Sequence, residues 1–136
     1  MDIIQYSIGG LPAFLLYFGT SLALLALFIT IYIWITPYRE FTLIREGNVA
    51  AAASLSGTII GFVIPLAHAV ALSVSLADMA LWGLIALVVQ LLVFFAVTRI
   101  LPGAARDIPA GKVAPGILLG ALSLGTGILN AACMTY

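Results

Sequence analysis

An all-α integral membrane fold with four transmembrane helices is predicted by three features of the sequence. First, 64% of the 136 residues are hydrophobic and only 7% are charged, whereas soluble domains carry about 25% charged residues. Second, the apolar residues form four long runs, and a helix needs roughly 20 residues to cross a bilayer. Third, every basic residue lies in or beside two of the three connections between these runs. A soluble chain of this length could not bury so much apolar surface.

The four runs are expected to form one transmembrane domain that covers residues 1–136. Backbone groups in lipid must be hydrogen-bonded within their own segment, so each run is predicted to be a helix. The first run is too long for a signal peptide and has no basic segment ahead of it, so it is interpreted as a retained helix. The predicted spans are residues 11–35, 49–76, 79–101 and 114–135, with a tight turn at residues 77–78.

The basic residues predict the orientation of these spans. They are Arg39, Arg45, Arg99, Arg106 and Lys112. Cytoplasmic connections carry an excess of lysine and arginine. The two basic connections are therefore predicted to be cytoplasmic, and both termini and the tight turn are predicted to lie on the outer side.

An internal repeat is predicted from two similar segments. IREGNVAAAASLSGTIIG, beginning at Ile44, aligns with IPAGKVAPGILLGALSLG, beginning at Ile108, so that Gly47 coincides with Gly111. Each unit is a helix, a basic loop and a Gly-rich helix, over about residues 11–76 and 79–135. Both units run in the same direction across the membrane. The repeat is therefore parallel, unlike the inverted repeats of many transporters.

Small residues in the second and fourth spans predict close helix packing. Ala53, Gly57 and Gly61 follow one another at four-residue steps and share one stripe of a helix. Such stripes let helix backbones approach closely in lipid. The partner is either the fourth span or another copy of the chain, and a homo-oligomer through these spans is expected. The fourth span offers two stripes, Ala121 with Gly125, and Ser123 with Gly127 and Ala131.

Polar residues inside the spans are candidates for a polar pathway or for hydrogen bonds between helices. Hydroxyl groups can bond back to the preceding turn, so packing is the favoured interpretation for them. Intramembrane polar groups also mark functional pathways, and Gln90 is the leading candidate for that role. His68 is expected to be a neutral histidine that is hydrogen-bonded or faces an interface, and a proton relay or pH sensor is the alternative. The set comprises Ser54, Ser56, Thr58, His68, Gln90 and Asn130.

No catalytic, cofactor or metal site is predicted. A phosphate-binding loop requires Lys and Ser or Thr directly after its second glycine, but Phe62 follows Gly61. Ser56 and His68 lie twelve residues apart on one helix, so the histidine cannot reach the serine as a base. One histidine and one cysteine cannot supply the three or four ligands of a zinc site. The formal net charge of zero suggests no nucleic-acid partner. An enzyme is therefore not expected.

The first connection, residues 36–48, is interpreted as a solvated connector. A binding site for a cytosolic partner is the alternative. Asn48 is expected to cap the second span. Tyr32, Trp34 and Tyr38 are assigned to the aromatic belt at the inner membrane interface.

Three segments, TPYREFTLIREGNVAAAASLSGTIIGFVIPLAHAV, WGLIALVVQLLVF and the terminal NAACMTY, resemble the YjfL-like family of bacterial inner-membrane proteins, the domain-of-unknown-function family 350. The resemblance covers nearly the whole chain. It implies a small four-helix protein of the bacterial inner membrane, built from two copies of a two-helix unit. The family has no established activity, so it supplies no catalytic residue. Small residues such as serine can occupy the place of His68 in the family, which weakens that histidine as a required ligand.

The same resemblance implies a setting for the protein. Family members are often encoded near phage-shock-protein-A-like proteins and glutathionylspermidine-synthase-like enzymes, which implies a link to envelope stress. The leading prediction is therefore a non-enzymatic, oligomeric membrane subunit that recruits or senses through its basic loops, with a phage-shock-protein-A-like cytosolic partner. The alternative is a small-solute or ion channel or transporter formed by an oligomer, with Gln90 and the hydroxyls of Ser54, Ser56 and Thr58 near the path.

Overall fold

The structure, a computed structural model, describes residues 2–134. All the regular secondary structure within that range is helical. Four of the helices, α2, α4, α5 and α7, are long and apolar enough to cross a membrane, which confirms the four predicted helices. The helices are α1 (Ile3–Ile8), α2 (Leu11–Ile35), α3 (Glu40–Arg45), α4 (Val49–Leu72), α5 (Leu76–Ile100), α6 (Ala104–Asp107) and α7 (Val113–Cys133).

The predicted turn at residues 77–78 is wrong. Helix α4 ends at Leu72 and α5 already begins at Leu76. The reason is a pair of caps: the Ser75 hydroxyl accepts a hydrogen bond from the Asp78 amide (3.1 Å), and the Asp78 carboxylate accepts one from the Val74 amide (3.1 Å). Asp78 therefore belongs to the first turn of α5, where a negative charge is favourable.

The other boundaries differ less from the prediction. The bounds of α2 are those predicted, and α7 begins at Val113 and ends at Cys133. The predicted end of the fourth span at residue 135 lies outside the described residues. The short α1 precedes α2 and was not predicted; Gly9 and Gly10 separate the two helices.

The connections α2–α3–α4 and α5–α6–α7 end in the same backbone geometry. Gly47 (φ 86°) and Gly111 (φ 83°) adopt the left-handed conformation that favours glycine. In each loop the amide after the glycine donates to the carbonyl five residues earlier, which is the bond of a Schellman motif. These bonds join Asn48 to Leu43 (2.9 Å) and Lys112 to Asp107 (3.0 Å). The end of the bundle that carries α3 and α6 is called the loop end below.

Asn48 ties the two loops together. Its side-chain oxygen accepts a hydrogen bond from the Ala51 amide (2.9 Å) and so caps α4, which confirms the predicted cap. Its side-chain nitrogen donates to the Ile108 carbonyl (2.8 Å) of the other loop. The two loops are therefore neighbours, and one residue satisfies backbone groups in both.

Helices α4 and α7 form the most extensive contact in the bundle, and α5 packs against both. Helix α2 joins α4 and α5 through aromatic side chains. The Phe28 ring stacks on Phe62 with 4.5 Å between ring centroids, and Tyr32 meets Phe94 edge-on at 4.7 Å. Large apolar side chains such as Leu92 and Leu129 are exposed on the outer faces of the bundle, where lipid is the expected solvent.

Candidate functional site

The closest helix contact in the bundle joins α4 to α7 through glycines. A Cβ atom at Gly57 would overlap the backbone of Gly120, and a Cβ atom at Gly127 would overlap the backbone of Gly61. Only glycine permits these backbones to approach so closely. This surface is called the glycine seam, and it comprises Ala50, Ala53, Gly57 and Gly61 of α4 with Gly116, Gly120, Ser123 and Gly127 of α7.

The predicted packing stripe of Ala121 and Gly125 does not contact α4 within the chain. Ala121 is exposed, and a Cβ atom at Gly125 would meet nothing within 4 Å. The α7 side of the seam instead includes Ser123 and Gly127, which belong to the other candidate stripe. Residue size marks both stripes as able to approach another helix, but the rotation of α7 decides which of them does so.

The predicted partner of the α4 stripe is also settled for this chain. Gly57 and Gly61 face α7 of the same chain, and Gly120 lies against the carbonyl of Ala53. The stripe is therefore occupied within one molecule. The expectation of a homo-oligomer stays a prediction; the α4 stripe is covered by α7, whereas the stripe of Ala121 and Gly125 is left uncovered.

Polar side chains beside the seam bind the helices to one another. Thr58 donates to the Ser54 carbonyl (2.8 Å) and lies 3.3 Å from the Ser123 hydroxyl. Gln90 of α5 donates to the Ser123 carbonyl (2.7 Å). Thr58, Gln90 and Ser123 are all buried. These three residues connect α4, α5 and α7 near the middle of the bundle, as interhelical hydrogen bonds do in membranes.

The other predicted polar residues lie apart from this group. Asn130 donates to the Ala86 carbonyl (3.4 Å) and joins α7 to α5. The Nε2 atom of His68 lies 3.0 Å from the Met134 carbonyl oxygen. Ser56 is exposed on α4. Within one chain the six predicted polar residues do not form a single cluster, and four of them bond one helix or its end to another.

The basic residues of the two connections lie at the loop end. All five are exposed: Arg39, Arg45, Arg99, Arg106 and Lys112. Lys112 lies 3.5 Å from the carboxylate of Asp107. This pair contributes little to stability because its side chains are solvated. The positive charges are therefore free to meet solvent, lipid headgroups or another molecule.

Sequence reasoning missed two buried residues at the loop end. Glu40 was assigned to a solvated connector, but it is 0% exposed. Tyr32 was assigned to the aromatic belt, and that assignment is wrong because it is also 0% exposed. Leu24, Phe28 and Tyr32 are the buried residues of α2, and their four-residue spacing was the signal that could have identified the inward face.

The burial of Glu40 has an electrostatic consequence. Removal from water disfavours its charged form and raises the pKa of the carboxyl group from 4.5 to about 7, although the hydroxyls of Tyr32 and Thr36 lower it in part. The pKa of the Tyr38 phenol is raised above its ordinary value by burial and by the charge of Glu40. The loop end thus holds a carboxyl group that titrates near neutrality.

Four apolar helices joined by polar residues, with basic side chains at one end, define a small multi-pass membrane protein. A sequence model described as Domain of Unknown Function (DUF350) matches residues 6–134. The chain belongs to this family.

Curated relatives agree with that assignment. The UPF0719 inner membrane protein YjfL of Escherichia coli strain K12 is 43% identical over 132 residues, which is 97% of this chain and 100% of the relative. The UPF0719 transmembrane protein YshE of Bacillus subtilis strain 168 is 28% identical over 118 residues, or 85% of this chain and 88% of that protein. No solved structure matches the chain.

Proposed function

We propose that this protein is a non-enzymatic, homo-oligomeric subunit of the bacterial inner membrane that recruits or senses through its two basic loops. The main support is the construction of the loop end. Two loops with the same backbone closure are tied together by Asn48, and five basic side chains point outward there. A rigid surface with exposed charge favours binding of a soluble partner, because complementary charge steers encounter.

The loop end is proposed to be cytoplasmic, with both termini in the periplasm. The positive-inside rule supports this orientation. The single cysteine, Cys133, is exposed at the end of α7 and provides a direct test. A membrane-impermeant thiol reagent is expected to label Cys133 in intact spheroplasts. In a Cys133→Ser background, Arg106→Cys is expected to react only after lysis. The opposite pattern would reverse the topology.

We further propose that the two units, residues 11–76 and 79–135, are parallel repeats. The matched closures at Gly47 and Gly111 support this proposal. The glycine seam then joins the second helix of one unit to the second helix of the other. A homo-oligomer would form through faces that the seam leaves uncovered.

The partner class that we propose is a phage-shock-protein-A-like cytosolic protein, with a role in envelope stress. The family resemblance supports this choice. Changing Arg39, Arg45, Arg106 and Lys112 to glutamine is expected to abolish complementation of a deletion strain and co-purification of the partner. The matched control exchanges Arg for Lys and Lys for Arg at the same positions, which keeps every charge. Full activity of the glutamine variant, with its topology verified at Cys133, would reject the recruiting role.

A channel or transporter is the second candidate. The buried Gln90 favours it, because its side-chain oxygen has no hydrogen-bond partner and packing alone does not account for such a group in a membrane core. The glycine seam closes the space between α4 and α7 in one chain, so a path would need several copies. Purified protein in liposomes that conducts neither Na⁺, K⁺ nor protons under an applied gradient would exclude this candidate.

A further inference from the structure

Three neighbouring residues at the loop end carry buried polar groups that lie near one another but form no hydrogen bond of good geometry. They are the Tyr32 hydroxyl, both carboxylate oxygens of Glu40 and the Ser54 hydroxyl. Each of these residues is 0% exposed. They act on one another electrostatically: Tyr32 interacts with both Glu40 and Ser54. Buried polar groups are nearly always hydrogen-bonded, and a set of unpaired ones calls for an explanation such as a bound ion or water.

The fold does not need a carboxylate at this position. Glu40 is the first residue of α3, and Ala104 is the first residue of α6 in the matching loop. Both residues are buried, and both loops close with the same hydrogen bond after a left-handed glycine. A methyl group is therefore sufficient for the loop geometry. The carboxyl group of Glu40 adds a burial cost without serving that geometry.

Among the described residues, no positive side chain forms an ion pair with the Glu40 carboxylate. The groups that act on Glu40 are the Tyr32 phenol from α2 and the Thr36 hydroxyl and Tyr38 phenol from the α2–α3 connection. Ser54, from α4, acts on both phenols. The ion pair found within residues 2–134 joins Lys112 to Asp107 and does not involve Glu40. A buried carboxylate without a counter-charge is unfavourable, so one positive charge from outside the protein would complete the site.

The donor atoms define what that charge can be. A carboxylate, a phenol and a hydroxyl are all oxygen groups, which suit hard cations. Calcium usually requires six to eight oxygen ligands, several of them carboxylates. Within residues 2–134 no group of three or more acidic, histidine or cysteine residues could hold a metal ion. A single monovalent cation therefore balances the single negative charge of Glu40.

A route of approach lies next to the cluster. A surface groove of about 330 Å³ runs beside α3, and Glu40 is among its lining residues together with Thr36, Arg39 and Thr42. The groove opens at the loop end, beside the exposed Arg39 and Phe41. A small ion can therefore approach Glu40 without crossing the glycine seam.

We propose that Glu40, Tyr32 and Ser54 form a binding site for one monovalent cation, either a proton or Na⁺, at the loop end of the bundle. A proton would bind a carboxylate oxygen of Glu40 and leave a neutral acid that donates to a neighbouring hydroxyl oxygen. Sodium would bind the ionised carboxylate and the two hydroxyl oxygens. The raised pKa of Glu40 supports occupancy by a positive charge near neutral pH. This inference is independent of the recruiting role.

Carbodiimide labelling tests the site in the full-length protein in detergent. Dicyclohexylcarbodiimide modifies protonated carboxyl groups in apolar surroundings, and mass spectrometry locates the modified residue. Glu40 is expected to react with a midpoint near pH 7, and the exposed Glu46 serves as the control carboxyl group outside the cluster. Protection of Glu40 by NaCl but not by choline chloride identifies Na⁺ as a ligand. A pH response that NaCl does not change identifies the proton alone.

Matched variants and a second measurement keep the test decisive. Tyr32→Phe is expected to raise the midpoint of Glu40 labelling, because the Tyr32 hydroxyl lowers the pKa of that carboxyl group. Tyr32→Phe and Ser54→Ala are both expected to weaken Na⁺ protection, whereas Ser56→Ala removes an exposed hydroxyl from the same helix as Ser54 and is expected to change neither. Infrared spectra of wild type minus Glu40→Gln report the same protonation directly. An ionised Glu40 at every pH above about 5, with no effect of Na⁺ on labelling, would overturn the proposal.

Discussion

The two loops of this protein have the same backbone closure but bury different side chains. The loop after α2 places Glu40 among hydroxyls, near Tyr32 and Thr36. The loop after α5 places Ala104 in an apolar cluster with Ala51 and Leu119. The closure is therefore set by the glycine and its hydrogen bonds, and the first residue of the loop helix is free to differ. The comparison separates what the architecture requires from what one loop adds to it.

The largest loss of stability is expected when α4 is forced away from α7 at the glycine seam. These are the helices that follow the two loops. Gly127→Val would drive a side chain into the backbone of Gly61. Overpacking costs about 1–3 kcal/mol where side chains can move, and a rigid backbone obstacle raises the loss to about 4 kcal/mol or more. Thermal unfolding in detergent measures it. Gly125→Val, on the same helix but facing open space, is the control. Equal losses in the two variants would contradict the seam.

The next largest effect is expected when the second loop is given the carboxylate of the first. Ala104→Glu would bury an ionisable group in the cluster formed with Ala51, Ile108 and Leu119. We expect a loss of about 3–4 kcal/mol at neutral pH, because burial of an unpaired carboxylate adds to the cost of overpacking. Ala104→Gln measures the overpacking without the charge. If Ala104→Glu and Ala104→Gln lower stability equally at every pH, the second loop tolerates a buried charge. The two loops would then not differ in the way that we infer from Glu40.

The stability of the wild-type protein is expected to depend on pH through Glu40. The carboxyl pKa is raised on folding from 4.5 to about 7, so the folded state binds the proton more tightly than the unfolded state. The stabilisation is complete below pH 4.5 and is lost as pH rises through about 7, a change of about 3 kcal/mol. Glu40→Ala, which copies the second loop, is expected to remove this dependence. If the pH dependence of stability were unchanged in that variant, a group other than Glu40 would be its cause.

The smallest effect tests the feature that the two loops share. Gly47→Ala and Gly111→Ala each place a Cβ atom on a residue with positive φ. The left-handed conformation costs a non-glycine residue about 1–2 kcal/mol, and a Cβ atom at either position meets nothing within 4 Å. Both substitutions are therefore expected to lower stability by about 1 kcal/mol, measured by thermal unfolding. A loss at one position only would argue against equivalent closures.

The sequence predicted the features that depend on local composition. The four membrane-crossing helices follow from long apolar runs, and Asn48 was identified as a helix cap from its place before the second span. The turn at residues 73–75 was misplaced because the apolar run continues through it. The caps formed by Ser75 and Asp78 fix the start of α5. Hydrophobicity alone does not reveal a helix cap.

The site was predicted less well than the fold. Gly57 and Gly61 were recognised from their spacing, but Ala121 and Gly125 were chosen on α7 although Gly127 faces α4. Glu40 was overlooked because a charged residue in a short connection is ordinarily solvated. Its burial depends on how α3 docks against α4, which the local sequence of a short connection does not determine.

The sequence by itself determined the membrane class, the helical architecture and the positions of the two loop glycines, because hydrophobic length and glycine's conformational freedom are local properties. Tertiary structure alone decided which stripe of α7 meets α4 and which side chains are buried at the loop end. Those outcomes depend on the rotation of whole helices and on the docking of a loop. Small residues and a lone carboxylate permit several such arrangements, and only the packed bundle selects one.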